Sequence, residues 1–335
     1  MSPLPEHARL RTVTGLVPVS AIEGSVLPHE HLQIDLRWPV GVPSDPRRWL
    51  DEELRVSMEL SELRQEYGLG VVVDLTGMGM GRGAATLSRI SAGSRVAVVA
   101  ATGLLADPFH PGFVADADVE WIAQRMLAEI GFGLDGTSIL PGVIGEVGVW
   151  SGLPSEREER CLRAAARAAL QSGLGVATHG PSGLAQLEIL LSEGLPADRI
   201  AVGHQDLVSD PAVAHKIAEA GAYVSFGLLG RGGHGGQGDL GGQGGLGGQG
   251  GSGARGGLGA RVGRILELLD AGHADRLLLS TGISRMIDLA AYEGVGYGHL
   301  FRAVLPALRA AGVDDATLRQ ITHHNPLAWL AVREA

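Results

Sequence analysis

At 335 residues the chain is long for one ordinary domain but typical of an α/β barrel of about 250 residues carrying insertions. A formal charge of −10 and a pI near 5.6 exclude a basic nucleic-acid footprint and a polybasic membrane patch. Hydrophobic residues make up 45% of the chain, ample for a large core.

The N-terminal stretch Met1–Leu10 has two prolines and Glu6 but no apolar run after a basic start, so no signal peptide is expected. No apolar run approaches the ~20 residues of a membrane span, which makes a cytoplasmic protein the expectation. From there, apolar runs rich in Val, Ile and Leu recur at Ser25–His31, Gly70–Thr76, Val96–Gly103, Gly142–Gly148, Gly175–Gly180, Ile200–Asp206, Tyr223–Gly227 and Leu277–Gly282. Stretches of helical periodicity separate them, among them Asp51–Tyr67, Val119–Ile130, Glu156–Gln171, Gly183–Glu193 and Asp210–Ala220. Such alternation predicts parallel βα units. Cys161, the one cysteine, excludes an intramolecular disulfide and reads as a buried structural thiol on the helix after the fourth run.

Eight strands with intervening helices form either a doubly wound open sheet or a closed barrel. No Gly-x-Gly-x-x-Gly follows the first run, and nearly every run ends in polar or small residues: His29-Glu30-His31, Asp74, Thr102-Gly103, Glu146, His179 and His204-Gln205-Asp206. A barrel directs all its C-terminal strand ends into one mouth, whereas an open sheet spreads them along a crevice. The prediction is therefore a (β/α)8 TIM barrel comprising residues 1–335 as a single domain.

His29 and His31 stand two apart at the end of the first strand, a spacing that turns both side chains to one face, here into the barrel. Glu146, His179 and His204 close the fourth, fifth and sixth strands. Any one histidine in isolation reads as a hydrogen-bonded core residue. Four of the 12 histidines at strand ends, with a carboxylate interrupting an apolar strand, read as a metal centre, because a buried unpaired Glu is expensive and a cation compensates it. Imidazoles and a carboxylate suit Zn²⁺ first and also Mn, Co or Ni. The two carboxylate oxygens can bridge a pair of ions, so one or two divalent metals per chain are expected.

The chain resembles the phosphotriesterase family of the amidohydrolase superfamily from about Val13 to Leu330. The resemblance rests on Leu-Pro-His-Glu-His at 27–31, Val-Ala-Ala-Thr-Gly at 99–103, Gly-Val-Ile-Gly-Glu-Val-Gly at 142–148, Ala-Thr-His at 177–179 and Val-Gly-His-Gln-Asp at 202–206. Gly-Val-Gly-Tyr-Gly-His-Leu at 294–300 and His-Asn-Pro at 324–326 add to it. It implies that His29 and His31 bind the more buried metal and His179 and His204 the more exposed one. Many members bridge the two with a carboxylated lysine; the branch of phosphotriesterase homology proteins has Glu there, matching Glu146. The only lysine, Lys216, falls in the helix after the sixth strand and cannot take that place. The resemblance also implies hydrolysis of an ester, lactone or related small molecule through a metal-bound hydroxide. Homodimerisation is common in that family.

One departure stands out. The family places an aspartate at the end of the eighth strand, where it binds the buried metal and accepts the proton; this chain has Gly282. Losing a positioned acid/base costs about 10²–10⁴ in rate. Asp206, two residues past His204, is the candidate substitute, and Asp288 is a weaker one. Three readings stay open: hydrolysis of an activated substrate, non-hydrolytic metal chemistry (cyclisation, elimination or isomerisation), and a catalytically weak ligand-binding descendant. A Gly282→Asp variant is expected to gain esterase or lactonase activity.

Between Gly230 and Gly259, 18 of 30 residues are glycine. This low-complexity insertion follows the seventh strand and reads first as a tolerated expansion, second as a lid over the mouth. Arg285, after the eighth strand, and Arg82, after the second, are candidates to grip a carboxylate or phosphate; each reads equally well as half of a salt bridge. His110, His299, His323 and His324 read as structural, Tyr297 as packed beneath the eighth loop, and His234, within the glycine tract, as solvated.

Overall fold

A computed structural model describes residues 8–37, 49–230 and 257–333. Eight parallel strands run in chain order around a nearly closed barrel: β1 (Ser25–Glu30), β2 (Leu69–Asp74), β3 (Ala97–Thr102), β4 (Val143–Gly148), β5 (Gly175–His179), β6 (Ile200–Val202), β7 (Tyr223–Phe226) and β8 (Leu277–Leu279). Every strand pairs with its neighbour in sequence, and no reversal of strand order creates the crevice of a doubly wound sheet. The helices between them are α1 (Glu53–Tyr67), α2 (Ala84–Ser94), α3 (Val119–Phe132), α4 (Glu156–Ser172), α5 (Gly183–Ser192), α6 (Pro211–Glu219) and α7 (Leu258–Asp270). After β8 come the short helices α8 (Leu305–Ala310), α9 (Asp315–Arg319) and α10 (Asn325–Leu330). No described helix is long and apolar enough to cross a membrane.

Strand alternation divides the core in two. Val26, Val71, Val73, Val99, Ala101, Val143, Ala177, Ala201, Tyr223 and Leu278 fill the barrel. Leu10 from an N-terminal hairpin and Trp329 from α10 join that inner cluster. Leu27, Val72, Val98, Ile144, Val176, Val202 and Val224 face outward onto the helices.

Two strands break the alternation just before a polar residue of interest. The β1–β2 register shifts between Leu27 and Glu30, and the β4–β5 register shifts between Ile144 and Val147. With strict period two, His29 would share the outward side of Leu27, and Glu146 the outward side of Ile144. The irregularities turn both inward.

The hydrogen-bond ladder stops between β8 and β1. That seam is closed by Glu30, whose carboxylate accepts bonds from Ser280 Oγ, Thr281 N–H and Ile283 N–H, each at 2.7 Å. His29 N–H donates to Ser280 Oγ at 3.1 Å and His31 N–H to the Ile283 carbonyl at 2.9 Å. Glu30 is fully buried, and burial pushes its pKa up to about 7 against these donors.

Helix starts on the mouth side are locked by local chemistry. Ser155 and Glu158 form a capping box at α4, with Glu158 also accepting the Trp150 N–H at 2.7 Å. Such caps stabilise by about 1 kcal/mol each and hold the loop after β4 in place. Cys161 is fully buried on α4, and burial raises its thiol pKa to about 12. The glycine tract lies outside the described residues apart from Gly230 and Gly257–Gly259, as does His234.

Candidate metal centre

Four imidazoles converge on one carboxylate. Glu146 Oε1 lies 3.2 Å from His29 Nε2, 3.1 Å from His179 Nδ1 and 3.2 Å from His204 Nε2. Its other oxygen, Oε2, lies 3.4 Å from His31 Nε2. All five residues are buried. The predicted residues from β1, β4, β5 and β6 are therefore brought together at the C-terminal end of the barrel.

The surrounding contacts fix how these rings face. His31 Nδ1 meets Thr76 Oγ1 at 2.9 Å, which leaves Nε2 toward the centre. Asp74 in turn accepts the Thr76 N–H at 3.0 Å and the Leu32 N–H at 2.6 Å. Tyr297, fully buried as expected, donates its hydroxyl to the His31 carbonyl at 2.7 Å. His204 sits in a left-handed backbone conformation (φ 58°) just beyond β6 and accepts the Gly180 N–H on Nδ1 at 3.3 Å.

The electrostatics are those of a site built for positive charge. Burial alone would raise the Glu146 pKa, but the charges of His29 and His179 and the bonds from His179 and His204 hold it well below the ordinary range. Burial also opposes charge on His29, yet Glu146 outweighs it and raises the pKa. His204 goes the other way, to about 3, through burial and the repulsion of His179. One ligand atom each from His29, Glu146 and His204 lies within 4.8 Å of the others, close enough that a cation could compensate the buried carboxylate. The donor set fits a divalent metal.

Asp206 is buried at the same end of the barrel. Its Oδ2 accepts the Leu228 N–H at 2.9 Å, while its Oδ1 is buried without a hydrogen-bond partner. Burial raises its pKa, which Arg261 and His29 partly offset. Arg285, in contrast, is engaged by Asp288, its Nε and Nη2 donating to that carboxylate at 2.7–3.0 Å. Arg82 pairs with Glu129 and Asp135 at 2.7 Å each and borders a separate pocket with Phe113 and Arg125.

Gly282 is no simple gap. Its φ is +75°, and a Cβ there would lie 2.3 Å from the Gly227 carbonyl oxygen and 2.6 Å from Leu228 Cδ2. Gly227 is equally tight, because a Cβ on it would meet the His29 ring at 2.7 Å. The expected gain from Gly282→Asp is corrected by this geometry: backbone and Leu228 fill the space the new side chain would need.

Sequence reasoning gave no role to Glu30 or Ser280, which join β1 to the β8 loop. Glu30 carried a signal, being a carboxylate enclosed by two histidines in an apolar strand. Ser280 carried none.

Fold and site together define a (β/α)8 barrel with a histidine–carboxylate centre in its C-terminal mouth. The phosphotriesterase family model matches residues 8–330, and the chain belongs to that family, whose members are metal-dependent. It is 32% identical to the phosphotriesterase homology protein of Escherichia coli strain K12, over 90% of this chain and 96% of that one. It is 28% identical to the N-acetyltaurine hydrolase of Mus musculus, over 97% and 98% of the two chains. A crystal structure of the Escherichia coli protein, solved with phosphate in its active site, superposes with a TM-score of 0.81 at 31% identity, covering 92% of this chain and 98% of that one.

Proposed function

We propose that this protein is a metal-dependent hydrolase of a small ester, lactone or N-acyl compound, with His29, His31, Glu146, His179 and His204 as the metal ligands. The observation that carries the reading is the ring of four imidazoles about Glu146. Glu146 directs Oε1 to three histidines and Oε2 to the fourth, an arrangement suited to bridging two ions. Zn²⁺ is the first choice for such donors. A divalent ion held there supplies Lewis acidity and lowers the pKa of water toward 7.

The chain's own residues do the rest. Thr76 orients His31, and Glu30 holds the β8 loop against β1. Asp206 takes the acid/base part that strand 8 lacks, since its Oδ1 is buried and unpartnered beside the centre. A relative that cleaves N-acetyltaurine supports including N-acyl amides among substrates.

Metal analysis of protein purified without chelator, followed by a panel of esters, lactones and N-acyl amides, tests the reading. The expected result is one or two ions per chain with turnover, and loss of about 10²-fold or more in kcat for Asp206→Asn with metal retained. Metal without turnover points instead to non-hydrolytic chemistry, and no metal to a ligand-binding descendant.

A further inference from the structure

One carboxylate stands where α1 should carry an apolar residue. The buried stripe of that helix is Val56, Glu59, Leu60 and Leu63, the spacing of a core-facing helix, and Glu59 is 6% exposed within it. A carboxylate taken out of water there has to be hydrogen-bonded. Its partners lie far along the chain, in the segment after β8. Oε1 accepts the Tyr297 N–H at 2.6 Å and Oε2 the Ala290 N–H at 3.3 Å.

Glu59 thereby ties together the two ends of the stretch 290–297. That stretch is also folded on itself, Gly294 N–H donating to the Leu289 carbonyl at 3.0 Å and Gly296 N–H to the Asp288 carbonyl at 2.8 Å. The run Gly-Val-Gly-Tyr-Gly at 294–298, to which the metal centre gives no part, is shaped for this carboxylate. Gly296 has φ +66°, and a Cβ on it would fall on Glu59 Oε1, so only glycine lets the loop close over the helix.

Beyond Tyr297 lies a proposed metal ligand. Tyr297 gives its N–H to Glu59, its carbonyl accepts the Thr281 hydroxyl at 3.1 Å, and its own hydroxyl donates to the His31 carbonyl at 2.7 Å. His31 N–H donates to the Ile283 carbonyl at 2.9 Å. Both backbone polar atoms of His31 are therefore gripped by the segment after β8, and one of the two grips leads back to Glu59.

We infer that Glu59 is a positioning residue for the metal centre: from a helix outside the barrel, and through Tyr297, it holds the His31 backbone and so aims the imidazole. Its effect on metal rests on His31 being a ligand, as proposed above; its coupling to His31 does not. The two links are hydrogen bonds in series, so Glu59 and Tyr297 act as one unit. Removing either releases His31, and removing both releases it no further.

Hydrogen exchange by mass spectrometry on the metal-free protein reads the coupling, and titration with Zn²⁺ against a competing chelator reads its consequence. Glu59→Leu removes both acceptor oxygens while filling the space, and Tyr297→Phe removes only the hydroxyl. Each should speed exchange in peptides covering 27–33 by about threefold or more, as for one hydrogen bond lost. Each should also weaken Zn²⁺ binding by about tenfold or more. The double variant should lose no more than the weaker-binding single one. Glu59→Gln, which keeps one acceptor oxygen, should recover part of the loss, and Glu62→Gln, on the exposed face of α1, should match the wild type. Thermal melts check folding, and Glu59→Gln carries the comparison if Glu59→Leu does not fold. Wild-type exchange at 27–33, even with faster exchange at 286–298, reduces Glu59 to a loop cap and overturns the inference. Losses that add in the double variant, or undiminished Zn²⁺ affinity in a wild type that binds it, overturn it too. A wild type that binds no Zn²⁺, with exchange at 27–33 still dependent on both residues, defeats the metal reading and leaves the coupling standing.

Discussion

Replacing Gly282 by aspartate is the variant the family pattern invites, and its geometry forecasts damage. The position adopts φ +75°, a left-handed conformation that strains any residue with a Cβ by about 1–2 kcal/mol. The new Cβ would also lie 2.3 Å from the Gly227 carbonyl oxygen and 3.0 Å from Leu228 Cα, both backbone atoms with little freedom to retreat. Overpacking of this kind costs about 1–3 kcal/mol more. Together the terms reach about 2–5 kcal/mol, roughly 3–7 °C of melting temperature for a chain of 335 residues. Gly282→Ala carries the same Cβ and should lose nearly as much. Differential scanning calorimetry of both variants, with an ester and lactone screen alongside, is the assay. The reasoning is refuted if Gly282→Asp melts with the wild type, or if it gains activity while Gly282→Ala is unstable.

Other consequences can be measured independently. Glu146→Gln should abolish stable metal retention on elemental analysis, exceeding the roughly 10–100-fold loss expected when Thr76→Val removes the partner of His31 Nδ1. Cys161, buried with a pKa near 12, should resist iodoacetamide at pH 8 until the protein unfolds; prompt alkylation of the native chain contradicts its placement. His110 titrates below its ordinary value because burial outweighs the attraction of Asp107 and Glu158, with Arg157 also opposing its charge. The unfolded chain then takes up this proton first, so its contribution to stability is full above about pH 6.5 and is lost as the pH falls through the lower folded value. Urea denaturation at pH 7 and pH 5 should show a smaller difference for His110→Phe than for the wild type.

The parts legible in sequence were those written in local pattern. All eight apolar runs are strands, most of them trimmed by a residue or two, and α1, α4 and α6 lie within two residues of their predicted bounds. The four histidines and Glu146 were readable because polar residues ending apolar runs are rare for any reason but a site. Their inward direction was less secure than the spacing implied. His29 and Glu146 face the centre only through the register shifts after Leu27 and Ile144, and nothing in a single strand's sequence records how its neighbour slides. The packing of Leu228 over Gly282 depends equally on contacts between distant segments. A glycine where an aspartate is expected reads as a hole; only the fold shows the hole filled.

The carboxylate at Glu30 joins the first barrel strand to the last, between residues about 250 apart in the chain. No ladder supports that junction, so closing the ring depends on a contact between segments far apart in the chain, with a large loop entropy to overcome. Glu30 lies between two of the residues proposed to hold metal. An ion bound by His29 and His31 would therefore also fasten the zip of the barrel, and stripping it would loosen the junction between its first and last strands.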